Sequence, residues 1–154
     1  MPRSPVSVRR VAADASPGDL ESLAGLWVAA STSFLTPDVP ATVADMAVTL
    51  RDALERECVE VYVARLDQQD VGFVVLSRGP LLPLLDDVSV SIEHLFVAQE
   101  ARRVGVGHAL LARATARAEQ LGATQISTTV PAPGREAQRF FARLGFGPFV
   151  VRRV

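Results

Sequence analysis

The sequence predicts an α/β fold of the α+β type, with elements in the order β-α-α-β-β-β-α-β-α-β. Two observations carry this. Short runs rich in Val, Ile, Phe and Tyr alternate with stretches whose apolar residues recur at three- and four-residue spacings, the first pattern marking strands and the second amphipathic helices. In addition, Arg102-Arg103-Val104-Gly105-Val106-Gly107 lies where a strand run ends and a helical pattern begins. Two glycines there permit a sharp turn and close backbone approach.

Residues 6–11 alternate enough to form a first strand. Ser16, Pro17 and Asp19 are helix-start signals, and Leu20, Leu23, Leu26 and Trp27 follow at helical spacing, so the first helix covers residues 17–31. Pro37 and Pro40 interrupt the chain, and a second helix is expected over 42–57 with Val43, Met46, Leu50 and Leu54 inward. Two β-rich runs, 59–66 and 71–77, are separated by Asp67-Gln68-Gln69-Asp70, which predicts a hairpin. The apolar, proline-broken link from Arg78 to Asp87 reads either as a segment tucked over the core or as part of an interface or substrate wall. A strand over 88–97 precedes the glycine segment, and Leu110, Leu111, Ala114, Ala118 and Leu121 form the apolar face of the helix after it, which Gly122 stops. Residues 125–130 form another strand, ended by Pro131 and Pro133-Gly134. A short helix over 135–144 follows, with Ala137, Phe140, Phe141 and Leu144 on its apolar side and Gly145 as its stop, and residues 149–151 are read as a last strand.

With 154 residues, 49% of them hydrophobic, the chain reads as a single domain over residues 1–154 with a substantial core. Lysine and arginine number 16 against 17 acidic residues, so no basic excess points to nucleic acid and no acidic block suggests a tail. Met1-Pro-Arg-Ser-Pro lacks the apolar core of a secretory signal, and no apolar run approaches the roughly 20 residues that span a bilayer, which predicts a cytoplasmic protein with no membrane partner. Cys58 is the only cysteine, excluding an intrachain disulfide and any multi-cysteine metal site, and it reads as a small packed residue near a strand start. His94 and His108 lack the spacing of a metal pair, and no metal is expected.

The strand-to-helix junction has chemistry of its own. First-turn amides of a helix have no intrahelical acceptor and sit at the positive end of its dipole, so they favour an anion. Arg102 and Arg103 add charge. A dinucleotide fingerprint would need a third glycine where Leu110 stands, and no Gly-Lys-Ser/Thr of a P-loop is present. What remains is Arg102-x-x-Gly105-x-Gly107 after a strand ending in Leu95-Phe96-Val97.

That pattern resembles the coenzyme A signature of the GNAT acetyltransferase superfamily. A second segment, Ala137-x-x-Phe140-Phe141-x-x-x-Gly145-Phe146, is similar to the family's late-helix motif, although an amphipathic helix with a glycine cap could contain it too. The resemblance runs over nearly the whole chain and implies a mixed central sheet flanked by helices. It implies acetyl-CoA as acetyl donor, transferred by direct attack to a primary amine of a small molecule or protein. By the same resemblance Leu95, Phe96 and Val97 flank the pantetheine arm, Phe96 and Val97 binding it through main-chain hydrogen bonds. Arg102, Arg103, Val104, Gly105, Val106, Gly107, His108 and Ala109 would surround the pyrophosphate. The Val97 amide would polarise the thioester carbonyl, a contribution that is often large.

An amine with a pKa of about 10.4 must lose a proton before attack, so a base is needed. Glu93, on the motif strand, matches a position where related enzymes place one; it reads equally as a strand-surface carboxylate. Alternation points His94 to the opposite face unless a bulge intervenes. Several positions depart from the family pattern. Phe141 replaces a tyrosine that protonates the leaving thiolate, Gly134 stands where asparagine is common, and Gln99 where proline is usual. Tyr62, the single tyrosine, is assigned to packing. Only eight residues follow Phe146, where the family continues through two strands, which reads as a natural short form, a truncated chain or a sheet completed by a partner; if the last strand is missing, the unpaired edge points to a homodimer. Asp38, Asp45, Asp86 and Asp87 could attract a cationic acceptor. The alternatives to an enzyme are a catalytically inactive acetyl-CoA-binding regulatory module and an interaction scaffold without cofactor.

Overall fold

The computed structural model describes residues 5–31, 42–79, 84, 86–128 and 135–147. Its elements are β1 (Ser7–Val11), α1 (Pro17–Ser31), α2 (Val43–Leu54), β2 (Val59–Leu66), β3 (Gln69–Gly79), β4 (Ser89–Val97), a 3₁₀ turn (Gln99–Ala101), α3 (Val106–Gln120), β5 (Gln125–Thr128) and α4 (Arg135–Arg143). The strands form one sheet in the order β1-β2-β3-β4-β5. The first three pairings are antiparallel and the β4–β5 pairing is parallel, so the sheet is mixed as expected. A parallel pair requires a crossover, and α3 supplies it.

Side-chain alternation along the strands divides the core into two layers. Tyr62, Ala64, Val74, Leu76, Val90 and Ile92 meet Leu110, Leu111, Ala114 and Ala118 of α3 on one face. Val61, Val63, Phe73 and Val75 meet Leu20, Leu23 and Ala24 of α1 and Met46 and Leu50 of α2 on the other. Fully burying one such aliphatic or aromatic side chain is worth about 1.5–3 kcal/mol, which is what holds the helices down.

Several boundaries differ from the sequence expectation. The hairpin turn is Asp67-Gln68 alone, with φ of 50° and 64°, closing Leu66 against Gln69. A two-residue turn with both φ positive matches the right-handed twist of the strands, so β3 starts at Gln69 rather than after Asp70. The Asp70 side chain is only 3% exposed in this strand, where it accepts hydrogen bonds from Arg9 (2.8 and 2.9 Å), Ser22 Oγ (2.7 Å) and Arg65 Nε (3.1 Å). Helix α2 begins at the Thr42 cap, whose Oγ1 accepts from the Asp45 amide at 3.1 Å, but it ends at Leu54, short of the expected Glu57. Val43 and Leu144, expected inward, are exposed at 39% and 37%. Cys58, expected to be packed, is exposed in the turn before β2. Gly122 (φ 68°) and Gly145 (φ 92°) end α3 and α4 as expected, using backbone conformations that favour glycine.

Leu84 of the apolar link is 98% exposed and so is not tucked over the core. The other leucines and prolines of that link, the proposed strand at 149–151, the end of β5 expected at residues 129–130, Asp38 and Gly134 lie outside the described residues. No described helix is long and apolar enough to cross a membrane.

Candidate active site

Strand β4 is irregular, and this bears on the site. Its pairing with β3 runs Val75 to His94 and then Leu76 to Ile92, so Glu93 is an extra residue on β4 with no partner position. A bulge of this kind breaks alternation and re-aims side chains. Glu93 and His94 consequently share the face of α1, contrary to the alternation expectation. Ser77 Oγ donates to Glu93 Oε1 at 2.5 Å, and the His94 ring meets Trp27 of α1 edge-on at 5.0 Å. Trp27 in turn stacks on Phe73 at 5.1 Å, and Phe73 contacts Phe96 at 5.7 Å. Burial lowers the His94 pKa and the Glu93 carboxylate opposes that shift, leaving the imidazole below its ordinary value.

The other edge of β4 faces β5, which among the described residues pairs with it as far as Thr128 opposite Ile92, and β4 itself continues to Val97. Main-chain groups alternate sides along a strand. The Ala98 amide donates to Val71 of β3 at 2.8 Å, so the N–H and C=O of Val97 turn to the opposite edge. There Arg102 Nε donates to the Val97 carbonyl at 3.1 Å. Phe96, by contrast, has its carbonyl over Gly72 of β3, where a Cβ would come within 2.7 Å of it. Its main chain therefore faces β3, and Leu95 is in phase with Val97.

After the 3₁₀ turn the chain reverses through Arg103 (φ 65°) and Gly105 (φ 90°), and Gly105 is the N-cap of α3. Left-handed residues at a helix start draw successive amides into a concave, anion-favouring arrangement. Val106, Gly107 and His108 occupy the first turn, where amides have no acceptor within the helix. Ala109 does not join them, because its amide donates to the Gly105 carbonyl at 3.0 Å, as the first regular helical bond. The Arg102 amide is likewise used, on Gln99 at 3.3 Å.

The two sequence motifs meet at this point. A Cβ on Gly107 would lie 3.5 Å from Phe140 Cζ and 3.9 Å from Val97 Cγ2, so the open side of Gly107 faces the space between the end of β4 and α4. His108 meets Phe140 edge-on at 5.3 Å, and Phe140, Phe141 and Phe146 form a chain of edge-on contacts at 5.3 and 5.2 Å. Phe141 is 6% exposed, part of the core beneath α4. Tyr62 is buried too, with its hydroxyl donating to Glu60 Oε1 at 3.1 Å, which agrees with its assignment to packing.

Two residues escaped the sequence reading. Gly72 lies inside a β-rich run, yet a Cβ there would meet Val106 and Leu110 at 3.3 Å as well as the Phe96 carbonyl, so only glycine lets α3 and β4 close together beneath the loop. Its one signal is a glycine interrupting a strand pattern, which marks close backbone approach. Glu60 is 1% exposed and is matched by Arg117 Nε at 2.9 Å and Arg10 at 3.4 Å, partners that no local spacing reveals.

A mixed sheet whose β4 leads through a 3₁₀ turn into the glycine-capped α3 is an acetyltransferase architecture. Residues 24–146 match the acetyltransferase (GNAT) family, and the chain belongs to it. An uncharacterised N-acetyltransferase of Mycobacterium tuberculosis is 31% identical over 86 residues, covering 56% of this chain and 51% of that protein, and its Mycobacterium bovis counterpart gives the same figures. The chain thus spans about half the length of the curated relatives it matches. Among solved structures, the aminoglycoside N-acetyltransferase AAC(6')-Iy in complex with CoA superposes with a TM-score of 0.77 at 21% identity, covering 100% of this chain and 98% of that one. A ribosomal-protein-alanine N-acetyltransferase from Brucella melitensis biovar Abortus 2308 gives 0.70 at 17% identity, over 97% and 100%. At these identities the likeness is one of fold.

Proposed function

We propose that the protein is an acetyl-CoA-dependent N-acetyltransferase that passes the acetyl group directly to a primary amine. The observation that carries this reading is the main chain of Val97 at the end of β4, which faces away from β3 beside a helix start whose Gly107 borders Phe140. Outward main-chain groups beside a glycine suit a narrow pantetheine arm, and the amides from Arg103 to His108 suit a pyrophosphate. Each hydrogen bond to a charged oxygen is worth about 1.5–3 kcal/mol, so a few converging amides are enough to anchor a diphosphate.

Bound acetyl-CoA supplies the activated acetyl group. Leu95 and Val97 orient the arm through their main chain, and the Val97 amide donates to the thioester oxygen, favouring the charge that develops there. The Arg102 bond to the Val97 carbonyl fixes the peptide at the strand end, so Arg102 acts as a positioning residue as well as a local charge. Glu93, held by Ser77 and exposed, receives the proton of the attacking amine. The new bond joins amine nitrogen to acetyl carbon, the carbon–sulfur bond breaks, and the sulfur leaves as thiolate. Phe141 has no proton to give, and a thiol of pKa about 8.5 makes the thiolate a tolerable leaving group without one.

Thiol release from acetyl-CoA with a panel of polyamines, amino sugars, amino acids and peptides tests the reading. Transfer to at least one class is expected, and no release with any of them would count against catalysis. Phe141 in the core favours a second reading, a CoA-binding module without turnover. Tight acetyl-CoA binding in a calorimeter together with no release would select it.

A further inference from the structure

On the α1 face of the sheet, beyond the aromatic cluster, the strands change character. Ser77 of β3 and Ser127 of β5 are both in register with Ser91 of β4, so three hydroxyl residues stand side by side across three adjacent strands. Glu93 lies next along β4 and Ser89 one pleat before, and these residues line a cavity of about 340 Å³. Neighbouring positions on the same face, Phe73 and Val75, are core. A sheet face that a helix covers is ordinarily apolar throughout, so a row of small hydroxyls leaves space where side-chain packing would fill it.

We propose that this serine row, with Glu93 beside it, is an acceptor subsite selecting a small polyhydroxylated primary amine, the chemistry of an amino sugar. The proposal rests on the acetyltransferase reading and narrows its acceptor. Ser91 and Ser127 each carry one donor and two acceptor positions, and Ser77, whose proton goes to Glu93, keeps its acceptor positions, so the row as a whole complements ligand hydroxyls in either sense. Strands lie about 4.8 Å apart, so neighbouring hydroxyls of the row fall within reach of substituents on one ring. The cavity is at the small end of the roughly 300–1,000 Å³ found for small-molecule sites, which suits one ring rather than a large oligomer. Glu93 gives the described lining a negative charge for an ammonium group. Arg78 also borders the cavity, but its guanidinium donates to the Glu57 carbonyl at 2.5 Å and lies 4.0 Å from Glu60, so it is not presented as a clamp for a substrate carboxylate. No aromatic ring is among the described lining residues to hold an aryl amine.

Glucosamine and cyclohexylamine, alike in ring size and differing in hydroxyls, provide the test, read as kcat/KM for thiol release from acetyl-CoA. Glucosamine is expected to be favoured at least about tenfold, and Ser91→Ala to lower that preference by about the same factor, the worth of roughly one neutral hydrogen bond. Equal use of the two amines, or a preference that Ser91→Ala leaves intact, overturns the proposal. Transfer to other amines with glucosamine inert overturns it while sparing the acetyltransferase reading. If no amine is acetylated, that reading fails and the subsite is still decided by saturation-transfer NMR of glucosamine on CoA-loaded protein. Binding abolished by Ser91→Val supports the subsite, and absence of binding overturns it.

Discussion

Glu93 owes its place at the site to one extra residue in a strand. Without the bulge it would follow simple alternation; with it, Glu93 and His94 share the α1 face, and Ser77 fixes the carboxylate by a short hydrogen bond. General-base catalysis typically contributes about 10²–10⁴-fold, so Glu93→Gln is expected to lower kcat by roughly 100-fold while changing acetyl-CoA affinity little. Turnover equal to the parent at every pH would remove Glu93 from the chemistry. The residue types were readable from the sequence, whereas their facing was not. Register depends on which residues of β3 lie opposite, and no local spacing in β4 encodes that. The same holds for Phe96 and Ala109, whose main-chain groups are taken by β3 and by the first helical bond.

At the level of elements, the glycine loop works because β4 and α3 converge beneath it. Gly72 permits that convergence, since a methyl group there would press on the Phe96 carbonyl, a backbone atom that cannot swing aside. Gly72→Ala is therefore expected to destabilise the fold by about 1–3 kcal/mol in urea unfolding and to weaken acetyl-CoA binding. Unchanged stability and affinity would show that the junction has slack. Elements with strong patterns were legible to the residue: α1 and β2 run over the spans that helical spacing and β-rich composition indicate. The hairpin was misplaced because its turn uses Asp67 and Gln68 in a conformation more usual for glycine and asparagine, and because Asp70, polar by type, is a strand residue held by Arg9 and Arg65. Both family motifs were visible as strings, but their contact through Gly107, His108 and Phe140 is a property of the folded chain.

Over the whole molecule, buried carboxylates tie distant elements together. Asp70 links β1, α1 and β2 to β3, and Glu60 links β1 and α3 to β2. Burial disfavours the Asp70 charge, yet hydrogen bonds from Arg9, Ser22 and Arg65 outweigh it and hold the carboxyl well below its ordinary range. A depressed folded-state pKa means that the unfolded chain binds the proton first, so this stabilisation is complete above the unfolded value and is lost as pH falls below about 4. His94, also depressed, adds an earlier loss beginning below about 6.5. Urea midpoints measured against pH should decline in these two stages, and Asp70→Asn should abolish the lower one; an unaltered acid profile in that variant would contradict the assignment.

The central proposal is an acetyl-CoA site at the end of β4 beside the start of α3, and calorimetric titration with acetyl-CoA tests it most directly. One-to-one binding is predicted for the parent protein. Gly107→Leu, whose side chain would fill the space between Val97 and Phe140, should weaken it by about tenfold or more, at least ~1.4 kcal/mol. No binding to the parent, or equal affinity in the variant, would contradict the site.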